Sequence, residues 1–258
     1  MEKVLNNYKS TRLFIILAGF FVTNALIAEF IGIKIFSLEK LLGFEPLNFS
    51  LLGQNNLSFS LSAGVLLWPV VFVMTDIINE YYGQKGVKML SNFTVFLLIY
   101  SFFMLNLAIK MSPADFWITS NIQKGVPDMN AAFASVFGQG MWIIAGSLTA
   151  FITSQIIDVF IFHKIKQITG EKYIWLRATG STLVSQFIDS FVVLFIAFYL
   201  GANWSFALIL AVCTVNYFYK FFVAIAMTPI LYFVHNIIES YLGKELADIM
   251  KKEALLNG

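Results

Sequence analysis

Ser185-Gln186-Phe187-Ile188-Asp189 lies inside an otherwise apolar run, and Ser154-Gln155-Ile156-Ile157-Asp158 repeats its pattern 31 residues earlier. Both strings read Ser, Gln, two apolar residues, Asp, and both have long hydrophobic flanks that imply membrane helices. A turn near Thr169-Gly170 makes the two helices antiparallel and puts Ser154 and Ser185 at the same level. At about 1.5 Å of rise per residue, that level is roughly 23 Å from the turn, near mid-bilayer. Asp158 then falls one turn nearer the loop and Asp189 one turn farther away. Ionisable side chains at such depth are expensive, and they mark functional sites by default.

The rest of the chain agrees with a membrane setting. It has 258 residues, 59% of them hydrophobic and only 12% charged, with a mean hydropathy of +0.77. Several stretches exceed the ~18 apolar residues needed to cross a bilayer, which predicts an all-α polytopic membrane protein. A β-barrel would show short alternating segments instead. The net charge of +2 comes with no basic tract, so nucleic acid is not an expected partner. Cys213 is the sole cysteine and falls inside a predicted span, which leaves no disulfide framework and no thiolate metal site. The apolar run from Leu13 to Phe36 is too long for a signal-peptide core and should remain as a helix.

Six spans are expected, at about 12–36, 60–81, 87–111, 138–165, 173–200 and 205–235, making one integral membrane domain of the whole chain. With the N-terminus in the cytoplasm, Lys3, Lys9, Arg12, Lys85, Lys88, Lys164, Lys166, Lys172, Arg177, Lys244, Lys251 and Lys252 fall on the inner side. Lys34, Lys40, Lys110 and Lys124 fall outside. That asymmetry predicts that both termini are cytoplasmic. The outer loops 37–59 and 112–137 are long, and each is either plain surface connection or a cover for an outward-facing cavity. The tail from Ile237 onward reads as a solvated interfacial helix. No G-x-x-x-x-G-K-[ST] occurs, so the chain cannot hydrolyse ATP by itself.

The densest polar cluster is Thr75-Asp76-Ile77-Ile78-Asn79-Glu80, where Asp76, Asn79 and Glu80 share a helical face. Asp76 should be deep and Glu80 near the cytoplasmic edge, either paired with Arg177 or Lys85 or turned toward the site. Upstream, Trp68-Pro69 adds a flat aromatic and, inside a helix, would free the Val65 carbonyl. Ser181, Ser185 and Asp189 recur at steps of four, beside Thr182 and Gln186. Small hydroxyls at that spacing can simply permit close packing, which leaves Gln186 and Asp189 unexplained. Asn216 and Lys220 are also four apart, and Lys220 lies roughly 22 Å into its helix, with Asp76, Asp158 and Asp189 as natural partners. Asn24 is deep, whereas Glu29 and Lys34 read as interfacial. The interior thus holds more acids than bases, so either one carboxyl is protonated or a solute supplies donors. Carboxylates, amides and aromatics together suit a purine-like solute better than a bare ion or a sugar.

These pieces resemble the queuosine-precursor transporters, the VUT (vitamin uptake transporter-like) family. The resemblance rests on the order and spacing of Trp68-Pro69, Thr75 to Gly83, Gly146-Ser147, Ser154 to Asp158, Leu176-Arg177, Gly180-Ser181-Thr182, Ser185 to Asp189, and Asn216-Tyr217 with Lys220. It implies a six-helix bundle in the inner or plasma membrane that takes up 7-deazaguanines bearing a nitrile or aminomethyl group. Their N1–H and exocyclic amine are the paired donors that a carboxylate would accept.

The leading expectation is therefore a transporter for a deazapurine base, with no cofactor. Asp76, Asp158 and Asp189 would supply acceptors, and Gln155, Gln186, Asn79 and Asn216 amide contacts. Trp68, Glu80 and Ser185 would complete the site, with Lys220 as counter-charge and Arg177 as a salt-bridging gate residue. The alternative is a substrate-capture subunit that needs a separate ATPase module; a homodimer stays open as an assembly. An intramembrane enzyme is disfavoured, because His163 and His235 lie near cytoplasmic ends and H-E-x-x-H and G-x-S-x-G are absent.

Overall fold

The computed structural model describes the backbone of residues 2–170 and 172–256. The side chain of Lys3, counted in the charge asymmetry, and residues 257–258 of the tail fall outside the described part. Helices dominate: α1 (Glu2–Ile31), α2 (Leu38–Leu41), α3 (Trp68–Lys110), α4 (Asp115–Ile118), α5 (Met129–Phe137), α6 (Met141–Thr169), α7 (Ile174–Leu194), α8 (Phe206–Leu242) and α9 (Lys244–Leu256). Among the described residues, five helical stretches are long and apolar enough to cross a membrane: Tyr8–Ile31, Trp68–Lys110, Met129–Thr169, Ile174–Leu200 and Phe206–Leu242. The chain is a mostly helical, polytopic membrane protein.

Apolar residues face both ways, as lipid requires. In α1, Leu13, Leu17, Phe21, Ala25 and Ala28 form the buried stripe, and α1 packs on α3. Ile15, Ile16, Phe20 and Ile27 of the same helix stay exposed, where acyl chains would cover them. Helix α3 takes in most of the predicted spans 60–81 and 87–111, and it is broken at Gly83 (φ 68°, ψ −175°) into two helical legs. A side chain there would be strained, and a Cβ would lie 2.8 Å from the Ala254 carbonyl of α9. So α9 nests on the break, burying Ala247, Met250 and Ala254, and the tail is packed rather than freely solvated.

Two expected boundaries move around the first outer loop. The first helix stops at Ile31, because 35–37 form strand β1. Residues 60–67 are not helical throughout: Ser60–Ser62 is strand β4, paired antiparallel with β1, and a short 3-10 turn follows at Ala63–Leu66. Between them, β2 (Phe49–Leu51) and β3 (Gln54–Leu57) form a hairpin. Glu39 ties this loop together, accepting from Ser37 Oγ (2.9 Å) and the Phe59 N–H (2.8 Å). Because α3 begins at Trp68, Pro69 sits in its first turn, where a missing N–H costs nothing, and it produces no kink.

Helices α6 and α7 make the most extensive pairing in the molecule, as an antiparallel hairpin. Gly146 lets them approach: a Cβ on it would be 3.1 Å from the Val193 carbonyl. Beyond Leu194 the chain continues as wider π-type turns over Phe195–Leu200. Ser205 then caps α8, its Oγ accepting from the Leu208 N–H at 3.2 Å.

Candidate functional site

The polar face of α3 enters the bundle as its spacing requires. Thr75, Asp76, Asn79 and Glu80 are all buried. Glu80 is fully enclosed and meets two cations: Arg177 donates to Oε2 through Nε (3.1 Å) and to Oε1 through Nη2 (2.8 Å), and Lys166 Nζ lies 3.1 Å from Oε2 as well. Arg177 also spends Nη1 on the carbonyls of Gly170 (2.9 Å) and Lys172 (3.2 Å). One carboxylate and one bidentate guanidinium thus lock α3, α6 and α7 together beside the α6–α7 turn. Lys85 is exposed and is not a partner. Next to this knot, Tyr81 Oη and His235 Nδ1 are 3.0 Å apart.

One layer deeper, the two Ser-Gln-x-x-Asp repeats meet with a shifted register. Ser185 Oγ donates to Asp158 Oδ1 at 2.9 Å. Ser185 therefore faces Asp158 rather than Ser154, because the turn runs to Tyr173, in the left-handed region (φ 57°), before α7 begins. The axis of the hairpin sits about two residues later than Thr169-Gly170. Gln155 Oε1 accepts from Thr75 Oγ1 at 3.2 Å, and Thr182 comes within hydrogen-bonding range of Asp76. Five buried polar atoms here have no hydrogen-bond partner among the described residues: Asp76 Oδ1, Asn79 Nδ2, Gln155 Nε2, Asp158 Oδ2 and Gln186 Nε2. Each such atom is costly in a low-dielectric interior unless something else binds it.

A cleft opens beside this layer, between α3, α7 and α8. Its polar wall consists of Asp76, Thr179, Thr182, Gln186, Tyr219, Lys220 and Thr228, and Trp68 and Phe72 supply flat apolar surface. Flat apolar surface with a few convergent polar groups is the lining that small-molecule sites use. Lys220 points from α8 into the wall while forming a 2.6 Å ion pair with Asp189 of α7.

Of the residues singled out in the sequence, Trp68, Asp76, Gln186 and Lys220 line the cleft directly. Asn79, Gln155, Asp158 and Ser185 lie buried around Asp76 without lining it, and Asp189 reaches it only through Lys220. Glu80 and Arg177 form the separate knot near the turn, and Asn216 is half-buried on α8 outside the cleft lining.

Some participants escaped the sequence reading. Lys166 looked like a loop cation, yet it is almost wholly buried. Its signal was its spacing, since 155, 158, 162 and 166 fall on one helical face. Glu29 is likewise buried rather than interfacial, accepting from Ser147 Oγ at 2.5 Å. Thr179 and Thr228, 3.1 Å apart through their hydroxyls, close one side of the cleft. Among the described residues, no group of three or more His, Cys, Asp or Glu side chains is placed to hold a metal ion.

Comparison with known proteins bears on this arrangement. Residues 62–234 match the family model described as "Putative vitamin uptake transporter". The chain belongs to that family. A Bacillus subtilis (strain 168) protein named "Probable queuosine precursor transporter" is 30% identical over 180 residues, 67% of this chain and 72% of the relative. A Haemophilus influenzae (strain ATCC 51907 / DSM 11121 / KW20 / Rd) protein of the same name is 26% identical over 149 residues, 58% and 57% of the two chains. No solved structure matches. In this member of the vitamin uptake transporter family, the matched segment contains the whole cleft and the Glu80 knot; α1, with Glu29, and α9 lie outside it.

Proposed function

We propose that the chain imports queuosine precursors, 7-deazaguanines bearing a nitrile or aminomethyl group, across the cytoplasmic membrane. The observation that carries this reading is a pair of unmatched buried atoms on two residues that line one cleft: Asp76 Oδ1, an acceptor, and Gln186 Nε2, a donor. A guanine-type edge offers the complement, with N1–H and the exocyclic amine for the carboxylate and the C6 carbonyl for the amide. Trp68, Phe72 and Tyr219 supply flat surface for the ring. Membership in the family and the names of the two relatives point the same way.

In this reading Asn79, Gln155, Asp158 and Ser185 back Asp76, and Asp189 fixes Lys220 against the cleft. Glu80 and Arg177, with Lys166, anchor the helices, and Asn216 acts at the margin. Six crossings follow from length: the 43 residues of α3 would extend roughly 65 Å if straight, about twice a hydrocarbon core of ~30 Å, so its legs cross separately about Gly83. The lysine and arginine distribution then puts both termini in the cytoplasm.

The test is binding of the nitrile and aminomethyl deazaguanines to purified protein against guanine and thiamine, followed by uptake into liposomes containing this chain alone. Selective binding and unaided uptake are expected. Binding of thiamine in preference to either deazaguanine would remove the substrate assignment, and binding without uptake would favour a capture subunit that depends on an ATPase. A guanine analogue lacking the exocyclic amine should compete poorly; equal competition would remove the carboxylate from recognition.

A further inference from the structure

The buried charges do not balance. Glu80 is matched by Arg177 and Lys166, and Asp189 by Lys220. Asp76 and Asp158 are left, and neither forms an ion pair among the described residues. Both are enclosed, and each keeps one oxygen without a hydrogen-bond donor, Asp76 Oδ1 and Asp158 Oδ2. Both acids meet the same turn of α7, Asp158 through Ser185 and Asp76 through Thr182, and the other charged neighbours of Asp76 are Glu80 on its own helix and Arg177 on α7. From α8 the nearest cation in the cleft is Lys220, already engaged by Asp189. On α1 the buried acid is Glu29, whose charged neighbour is Asp189. His235 on α8 neighbours Glu80 instead. Two carboxylates held together away from water cannot both ionise at modest cost.

We infer that Asp76 and Asp158 together form a binding site for one proton, which travels with the substrate as the coupling ion. A sodium ion fits less well, because it needs about six oxygen ligands while the helices run unbroken past 76 and 158. A proton needs only the two orphaned oxygens. With the cleft open to the outside and empty, the pair takes up one proton on one carboxyl or the other. When a donor-rich base engages Asp76, the proton settles on Asp158, Asp76 becomes the carboxylate acceptor, and the pair keeps a single negative charge. No proton is released on binding, so one crosses with each substrate molecule; it leaves to the inner side after the base, once water reaches the pair, and the empty carrier returns without it.

The proton site stands independently of the transport reading; the coupling rests on it. Infrared spectroscopy of substrate-free protein tests the site alone. A protonated-carboxyl C=O band is expected near neutral pH and should disappear in Asp158→Asn, whose amide would donate to Asp76 and keep it ionised. No such band in the wild type, or an unchanged band in Asp158→Asn, overturns the inference. Asp158→Glu, which keeps the acid, should retain the band if the asparagine variant does not fold. Uptake into liposomes then tests the coupling. An inwardly directed proton gradient should make the wild type accumulate deazaguanine above the outside concentration and acidify the lumen. Asp158→Asn should only equilibrate the base. Accumulation driven by a sodium gradient, or uptake indifferent to the proton gradient, overturns the coupling. Binding of no deazaguanine at all would count against the transport reading and leave the infrared result to decide the proton site.

Discussion

At the scale of single residues, two kinds of acid must be kept apart. Asp189 has a cation and Asp76 does not, so breaking the first pair and neutralising the second acid should have opposite consequences. Lys220→Met leaves Asp189 unpaired in a partly buried place and should cost about 1–3 kcal/mol, the penalty for stranding a partly enclosed polar group, read as a lower melting temperature in detergent. Adding Asp189→Asn to it should recover most of that stability, because no lone charge then remains; a double variant no more stable than the single would refute the pairing. Asp76→Asn removes a charge that lacks a protein partner. It should leave the melting temperature unchanged or raise it, yet reduce deazaguanine affinity at least tenfold in a binding titration. Glu80→Gln strands Arg177 and Lys166 at once and should be the most destabilising of these changes. Rescue by neutralising only one of the two cations should be incomplete.

At the scale of elements, the Gly83 break and α9 form one unit. Gly83→Ala puts a Cβ into a left-handed backbone and against the Ala254 carbonyl, a strain of about 1–3 kcal/mol. Its expected mark is faster proteolysis within Lys244–Leu256 while the rest of the bundle stays intact; unaltered cleavage would show that α9 does not depend on that contact. This dependence could not be read from the sequence, where Gly83 is one turn residue and the tail a mixed-charge helix. The α6–α7 hairpin, by contrast, was legible, because a repeated Ser-Gln-x-x-Asp in two apolar runs admits few arrangements. Only its register shifted, since the conformation of Tyr173, which moves the turn, leaves no mark in hydropathy. Asp76, Trp68, Gln186 and Lys220 were found because polar or flat residues stand out in apolar runs. Thr179 and Thr228 were not, since a threonine in a membrane helix can satisfy itself on its own backbone. The strands of the 35–62 loop were hidden by their brevity.

Across the whole molecule, the two ends of the bundle are built differently. Beside the α6–α7 turn, a single guanidinium reaches one carboxylate and two carbonyls, and three helices converge on it. The far end is joined by the β1–β4 ribbon, by apolar contact and by single neutral-donor bonds such as Ser147 to Glu29 and Ser62 to the Gly32 carbonyl, with no guanidinium among them. A barrel riveted along one rim flexes first at the other. Amide exchange should therefore be slowest around Glu80 and Arg177 and fastest near Ser60–Leu67 and Phe195–Leu200, and in the orientation argued from the lysines that puts the more compliant mouth toward the medium from which a scavenged base arrives.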